Sequence, residues 1–174
     1  MSISIRPILA DELETLTPTL VDLMSQVINA GASLGFLTPL VHDDVTHYWL
    51  SLRPELESGS CVALAAFDGD QLIGSGQIKF APWPNAQHRA EIQKLFVANT
   101  VRRQGVGRLL MLALHDCARE HGRSLILLQT RRLGPTPNFY RSLGYKEIGV
   151  IPRYALTPEG ERVDNLALYQ ELSA

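Results

Sequence analysis

The sequence has little cysteine, little net charge and no long hydrophobic run. Its two cysteines, Cys61 and Cys117, are too few for a disulfide framework and favour a reducing compartment. A net charge of −2 argues against a general nucleic-acid binder. No apolar stretch is long enough to span a membrane, and the N-terminus lacks the apolar run of a signal peptide. These absences predict a cytoplasmic protein that acts on neither nucleic acids nor membranes.

What is present describes an ordinary globular domain. The chain is 45% hydrophobic and 20% charged, and its 174 residues suit one domain, which we place at 1–174. Its five histidines lack the spacing of metal ligands, so we predict no metal site. The patterns of strands and helices follow the order βααβββαβαββ, which predicts a mixed α/β sheet.

Of the four helices in this order, two are predicted from apolar residues that recur every three or four positions. We expect the first to begin at Pro18 and to end at Gly31, because proline favours a first turn and glycine follows a last one. The second should begin near Val106 and end at Gly122. Its buried face is expected to comprise Val106, Leu109, Leu110, Ala113, Leu114 and Cys117.

The most informative segment joins a predicted strand at 92–97 to the helix that begins near Val106. Gly105 and Gly107 have no side chains, so backbone N–H groups there can approach an anion closely. The N-terminus of the helix adds unpaired N–H donors and the positive end of its dipole. Three arginines add full charges: Arg102, Arg103 and Arg108. The segment therefore predicts a site for a diphosphate.

Spacing distinguishes this segment from other phosphate-binding loops. A dinucleotide fingerprint has a third glycine where this chain has Leu110, and a P-loop has Lys-Ser or Lys-Thr after its glycines. The pattern Arg102-x-x-Gly105-x-Gly107 resembles the acyl-CoA pyrophosphate loop of the GNAT N-acetyltransferases. The alternative is an ordinary strand-to-helix turn. The resemblance implies acetyl-CoA as co-substrate, bound by Arg102, Arg103, Gln104, Gly105, Val106, Gly107 and Arg108.

A second segment, Phe139-Tyr-Arg-Ser-Leu-Gly-Tyr145, is similar to the Phe-Tyr-x-x-Leu-Gly-Phe of GNAT enzymes, whose tyrosine lies close to the thioester sulfur. The resemblance implies a single-domain GNAT-type fold with a mixed, mostly antiparallel central sheet flanked by helices. It also implies that backbone groups of Leu95, Phe96 and Val97 bind the pantetheine amides. Three further segments look like the tabtoxin-resistance subgroup, whose members acetylate the amino group of a β-lactam amino-acid toxin: 31–36, 89–95 and 151–160.

Acetyl transfer to an amine requires a neutral amine and a stabilised thiolate. At pH 7, neutralising an amine with a lysine-like pKa near 10.4 costs roughly 4.6 kcal/mol, against about 1 kcal/mol for an α-amine. Glu91 is our candidate carboxylate for binding and deprotonating the amine, because it shares a strand face with Gln93 just before the turn. Alternatively, Glu91 is a solvated residue of an edge strand. Tyr140 is the candidate general acid, and its alternative role is packing beneath the sheet.

We expect the acceptor to be a small molecule with an α-amine. The small residues of the 31–36 loop leave room for it, and Phe36 can close over an apolar body. The residues predicted to bind it are Ser33, Phe36, Glu91 and Gln129.

Two residues depart from the resembled pattern. Gln129 stands where the subgroup would have Asp near the acceptor, and glutamine cannot serve as a base. Leu133 stands where many relatives have an Asn. Two other functions therefore stay open, namely acetylation of a protein or peptide N-terminus, and a regulatory module that binds acyl-CoA without turnover. The sequence also leaves open whether the chain forms a homodimer.

Overall fold

The computed structural model describes residues 2–173, which contain seven strands and five helices of α type. The strands are β1 Ile3–Pro7, β2 Cys61–Asp68, β3 Gln71–Phe80, β4 Arg89–Val97, β5 Leu125–Arg131, β6 Lys146–Leu156 and β7 Arg162–Glu171. The helices are α1 Leu13–Asn29, α2 His42–Ser51, α3 Arg53–Glu57, α4 Val106–Glu120 and α5 Thr136–Arg141. Within these residues, no helix has the length and apolar character needed to cross a membrane.

All seven strands form one sheet in the order β1-β2-β3-β4-β5-β7-β6. Every neighbouring pair is antiparallel except β4 and β5. Helices cover both faces, because Gly76 of β3 lies against Leu114 of α4 while the next residue, Gln77, is hydrogen-bonded to Tyr48 of α2. This mixed, mostly antiparallel sheet confirms the predicted fold class.

Helix α1 begins at Leu13, so the prediction that it begins at Pro18 was wrong. Leu13 is fully buried, and the Thr17 hydroxyl donates a hydrogen bond to the Leu13 carbonyl at 2.6 Å. These contacts stabilise the first turn even though Pro18, inside the helix, has no N–H to donate. The apolar residues whose three- and four-residue spacing predicts this helix are all buried: Leu20, Leu23, Met24, Val27 and Ile28.

Helix α4 begins at the predicted residue, but its buried face is rotated from the predicted one. Leu109, expected in the core, is 42% exposed. Three residues outside the predicted face are buried instead: Met111, His115 and Ala118. The helix therefore packs a wider stripe against the sheet and leaves Leu109 at the surface.

A bulge in β4 changes which of its side chains share a face. The β3–β4 ladder pairs Gln77 with Gln93 and Ser75 with Phe96. A separation of two residues along β3, from Gln77 to Ser75, therefore lies opposite a separation of three residues along β4, from Gln93 to Phe96. Lys94, inside the bulge, has a positive φ of 52°. Gln93 and Lys94, although adjacent in sequence, consequently both project toward the face that carries α2.

The parallel pairing of β4 with β5 is short. It joins Arg89 to Leu125, Ala90 to Ile126 and Glu91 to Leu127. Beyond these pairs, β4 remains bonded to β3 on its other side, and β5 remains bonded to β7. A gap thus opens in the middle of the sheet, and the edge of β4 that faces it has backbone groups without a strand partner.

Candidate active site

The segment before α4 offers backbone donors to an anion. Gly105 has a φ of 88° and immediately precedes Val106, the first residue of α4. No side chain caps this end of the helix, so the N–H groups of its first turn are available to a ligand. The space that a Cβ of Gly105 would occupy is open, with no described atom within 4 Å. The backbone can therefore approach a bound group closely.

Positive charge surrounds these donors. The side chains of Arg102, Arg103, Gln104 and Arg108 are exposed. Across residues 2–173, none of these three arginines has a carboxylate within ion-pair distance. Their charges stay available for phosphate oxygens, which guanidinium groups bind with two parallel hydrogen bonds. The residues present therefore fit the pyrophosphate of acetyl-CoA.

The strand residues predicted to bind the pantetheine amides border the gap beside β5. The Phe96 side chain is buried against Trp49 of α2, with ring centroids 6.3 Å apart. Val97 lies beside Gly107, and Leu95 lies beside Gly76. Because these side chains are engaged in packing, only backbone groups of Leu95 to Val97 can serve a ligand in the gap.

Tyr140 lies on α5 and is 7% exposed. Its ring packs edge-on against that of Tyr145, with centroids 5.8 Å apart. The hydroxyl makes no hydrogen bond within the described chain and is not sealed from solvent. Burial raises the pKa of Tyr140 to about 12, so the phenol keeps its proton at neutral pH. Packing of the ring and hydrogen-bond donation by the hydroxyl are therefore compatible roles.

A buried polar pair supports this aromatic cluster, and the sequence analysis missed it. The Tyr145 hydroxyl lies 2.8 Å from Nε2 of His115 on α4. Burial lowers the pKa of His115 to about 4 and raises the pKa of Tyr145, so both groups are neutral at pH 7. The position of His115, four residues after Met111 within an apolar helix, was the signal that could have revealed it.

Glu91 and Gln129 line one pocket of about 470 Å³. They share a sheet face, because Gln129 comes two residues after Leu127, the parallel partner of Glu91. Both side chains are exposed. Other walls of the pocket are formed by Lys79, Pro82, Trp83, Arg89 and Leu127.

Ser33 and Phe36 do not line that pocket. Ser33 is exposed. Phe36 packs edge-on against Tyr48 of α2, with centroids 5.9 Å apart, and contacts Lys94 instead. Since Lys94 follows Glu91 by three residues on the same face of β4, the 31–36 loop lies beside the pocket along the strand. Its predicted contact with an acceptor stays a prediction.

Lys94 holds this loop in place, and sequence reasoning had given it no role. Its ammonium group donates a hydrogen bond to the Leu34 carbonyl at 2.5 Å and lies over the rings of Phe36 and Tyr48, 5.6 and 5.0 Å from their centroids. Burial lowers the pKa of Lys94, with a smaller effect from the charge of Lys79. The adjacent polar residues Gln93 and Lys94 break the alternation of the strand, which was the available signal of a bulge.

Comparison with known proteins identifies the family. Residues 58–147, just over half of the chain, match the family model described as an acetyltransferase (GNAT) domain. The chain belongs to the GNAT acetyltransferases. This GNAT match includes the 102–108 turn, Glu91 and Tyr140, and it confirms the predicted class of enzyme, an acetyl-CoA-dependent N-acetyltransferase.

Solved structures similar to this GNAT chain extend over its full length. An N-acetyltransferase from Staphylococcus aureus Mu50 has 14% identity and a TM-score of 0.79, covering 99% of this chain and 100% of its own. The yncA protein of Salmonella typhimurium, solved with its cofactor acetyl-CoA, has 14% identity and a TM-score of 0.76, with coverages of 100% and 96%. A ribosomal-protein-alanine N-acetyltransferase from Brucella melitensis has 23% identity and a TM-score of 0.72, with coverages of 97% and 99%. These similarities establish the fold.

Proposed function

We propose that this GNAT enzyme transfers the acetyl group of acetyl-CoA to the α-amine of a small amino acid or amino-acid-like toxin. The observation that carries the proposal is the pocket shared by Glu91 and Gln129, where β4 and β5 begin to diverge. Its volume of about 470 Å³ suits a small-molecule ligand. A carboxylate and a carboxamide on one wall can bind an ammonium group and a neighbouring polar atom.

The cofactor half of the proposal rests on the turn before α4. Gly105 and the uncapped first turn of α4 leave backbone N–H groups open, and the surrounding arginines neutralise the pyrophosphate. The gap between β4 and β5 supplies unpaired backbone groups for the pantetheine amides. Together they direct the thioester toward Glu91, at the start of the gap.

Glu91 is proposed to bind the ammonium form of the acceptor and then to take its proton. Tyr140 is proposed to stabilise the departing thiolate. Because the pKa of Tyr140 is about 12 and that of a thiol is near 8.5, complete proton transfer from the phenol is unfavourable. Hydrogen-bond donation to the developing negative charge is therefore its main contribution.

The acceptor is proposed to be of the kind that the tabtoxin-resistance subgroup uses. The segments 31–36, 89–95 and 151–160 support this, because they contribute the Phe36 loop, the strand that carries Glu91, and β6. Gln129 in place of an Asp leaves one carboxylate fewer near the amine. An α-amine is less basic than a lysine-type amine, so it needs less help with deprotonation and suits a site with a single base.

A second function, acetylation of a protein N-terminus, is supported by one comparison. The similar protein from Brucella melitensis is a ribosomal-protein-alanine N-acetyltransferase. A protein N-terminus also presents an α-amine, so Glu91 could serve it in the same way. The two functions differ in what lies beyond the amine.

A panel of amines tests the proposed function. Release of CoA from acetyl-CoA is measured with the twenty L-amino acids, with polyamines, and with peptides that begin with alanine. We expect amino acids to have the highest kcat/KM. Preference for peptides would select the second function, preference for polyamines would overturn the α-amine assignment, and acetyl-CoA binding without any amine-dependent release would indicate a regulatory module.

A further inference from the structure

Arg131 is the last residue of β5 and presents two hydrogen-bond donors that nothing in the described chain satisfies. Its Nε and Nη2 atoms are shut off from solvent and have no hydrogen-bond partner. Arg131 comes two residues after Gln129, so both side chains project from the face of the sheet that carries the pocket. Leaving charged donors buried and unsatisfied costs free energy, which a bound anion would recover.

The nearby carboxylates are already engaged elsewhere. Asp164 of β7 accepts hydrogen bonds from the side chain of Arg132 at 3.3 Å and from the Arg153 backbone N–H at 2.9 Å. The pKa of Glu159 is lowered chiefly by its own backbone N–H and the Thr157 hydroxyl, and least by the charge of Arg131. Glu159 is also not within ion-pair distance of Arg131. Arg131 is therefore left without an acidic partner in residues 2–173.

The two unsatisfied atoms lie on one edge of the guanidinium group. Their N–H bonds are parallel, and a carboxylate accepts both with its two oxygens. An amine or a neutral carbonyl cannot match this geometry and charge. This edge of Arg131 thus matches an anion with two acceptor oxygens, such as a carboxylate.

A second cation projects from the same face of the sheet as Arg131. Lys94, on the same face of β4, has no ion-pair partner among the described residues. The loop that Lys94 holds extends to Thr38, whose backbone N–H donates to the Pro158 carbonyl at 2.8 Å, next to Glu159. This hydrogen bond joins the 31–41 loop to the 157–161 turn, which contains Glu159.

We propose, on the basis of the proposed function, that Arg131 binds the carboxylate of the acceptor through Nε and Nη2. The acceptor is then a free amino acid, with its ammonium at Glu91 and its carboxylate at Arg131. A peptide N-terminus has an amide in place of that carboxylate, and a polyamine has a second cation. Both Nε and Nη2 are covered in this conformation, so admitting the carboxylate requires movement of the residues over them.

Matched acid and amide substrates test this assignment. We would measure kcat/KM for the L-amino acids and their primary amides with the wild type, Arg131→Gln, Arg131→Lys and the control Arg132→Gln. The amine of the amide is less basic, because it lacks the neighbouring negative charge. Intrinsic reactivity therefore favours the amide, and a preference for the acid must come from recognition.

We expect the wild type to prefer the acid, and Arg131→Gln to lower kcat/KM for the acid by about 10- to 100-fold, mainly through KM. Activity on the amide and the Kd for acetyl-CoA should stay unchanged. Arg131→Lys should retain part of the preference, and Arg132→Gln all of it. If Arg131→Gln does not fold, the preference for acid over amide in the wild type and in Arg131→Lys still tests the assignment.

Two results would overturn the assignment. A wild-type preference for the amides would remove the carboxylate site while leaving the proposed N-acetylation intact. An equal loss on acids and amides in Arg131→Gln would give Arg131 a structural role instead. Acetyl-CoA binding with no acetylation of any amine would refute the proposed function itself, and this inference with it.

Discussion

Lys79 lies directly across the β3–β4 ladder from Glu91, but its ammonium group pairs with Glu55 of α3, 2.5 Å from Oε2. Glu91 itself has no ion-pair partner within residues 2–173. Glu55 thus keeps the ammonium group of Lys79 away from the candidate base. The carboxylate of Glu91 remains available to the ammonium group of an acceptor.

Removing the charge of Glu55 should weaken acceptor binding. In Glu55→Gln, Lys79 is free to pair with Glu91, since side chains directly opposite in an antiparallel ladder lie within reach. An exposed ion pair of this kind is worth up to about 1 kcal/mol, so KM for the acceptor should rise roughly two- to five-fold. Steady-state kinetics would measure the change. Glu57→Gln, on the same helix, is the control. Adding Lys79→Met to Glu55→Gln should restore the KM of the wild type. An unchanged KM in Glu55→Gln would argue against Glu91 as the ammonium site.

Tyr140→Phe should slow the chemical step without affecting cofactor affinity. The substitution keeps the packed ring and removes only the hydroxyl, and loss of one donor to a developing negative charge typically costs ~10²–10³-fold. We expect kcat to fall within that range and the Kd for acetyl-CoA, measured by titration calorimetry, to stay the same. Tyr145→Phe is the comparison, because it removes the bond to His115 and should mainly lower thermal stability. Full activity of Tyr140→Phe would show that the Tyr140 hydroxyl has no catalytic role and that the ring serves only in packing.

Gly105→Val should abolish tight binding of acetyl-CoA. The valine side chain would fill the open space over the backbone donors, and affinity should fall at least about tenfold. Gly122→Val is a matched control at the other end of α4, since Gly122 also has a positive φ, 68°, and open space. Both variants should lose similar stability, but only Gly105→Val should lose affinity in calorimetry. Equal affinities would remove the turn from the cofactor site.

The buried His115 should make stability depend on pH. Its pKa is about 4 in the fold and near 6.5 in the unfolded chain, so the unfolded state binds the proton more readily. The contribution of His115 is therefore complete above pH 6.5 and is lost progressively as the pH falls toward 4. His115→Gln keeps a polar partner for Tyr145 but does not titrate, and its Tm should decline less over that interval. Parallel Tm profiles of the two proteins would show that His115 does not bind a proton on unfolding.

The parts of the fold that local patterns determine could be predicted from the sequence. The observed β4, Arg89–Val97, contains the predicted strand at 92–97, and α4 begins at Val106, because alternation, glycines and apolar periodicity all act over a few residues. The start of α1 was predicted wrongly from Pro18, since burial of Leu13 outweighs the local preference of proline for a first turn.

The candidate site could be predicted only where a motif or a shared strand face reveals it. Glu91 and Gln129 do line one pocket, as two residues on adjacent parallel strands can. The role of Lys94 depends on Leu34, 60 positions away, and on a bulge that reverses its face. The isolation of Arg131 depends on Asp164 pairing with Arg132 instead. Such long-range contacts leave no periodic signal in the sequence.

The pH dependence of Glu91→Gln is the most direct test of the account. We would measure kcat/KM from pH 6 to 10 for wild type and variant, with amino acids and with polyamines as acceptors. The account predicts that the variant is most impaired below pH 8, where the amine is mainly protonated, and recovers partly as the pH rises. Amino acids should remain the preferred acceptors of both proteins. A defect of equal size at every pH, or no defect, would contradict the assignment of Glu91 as the base.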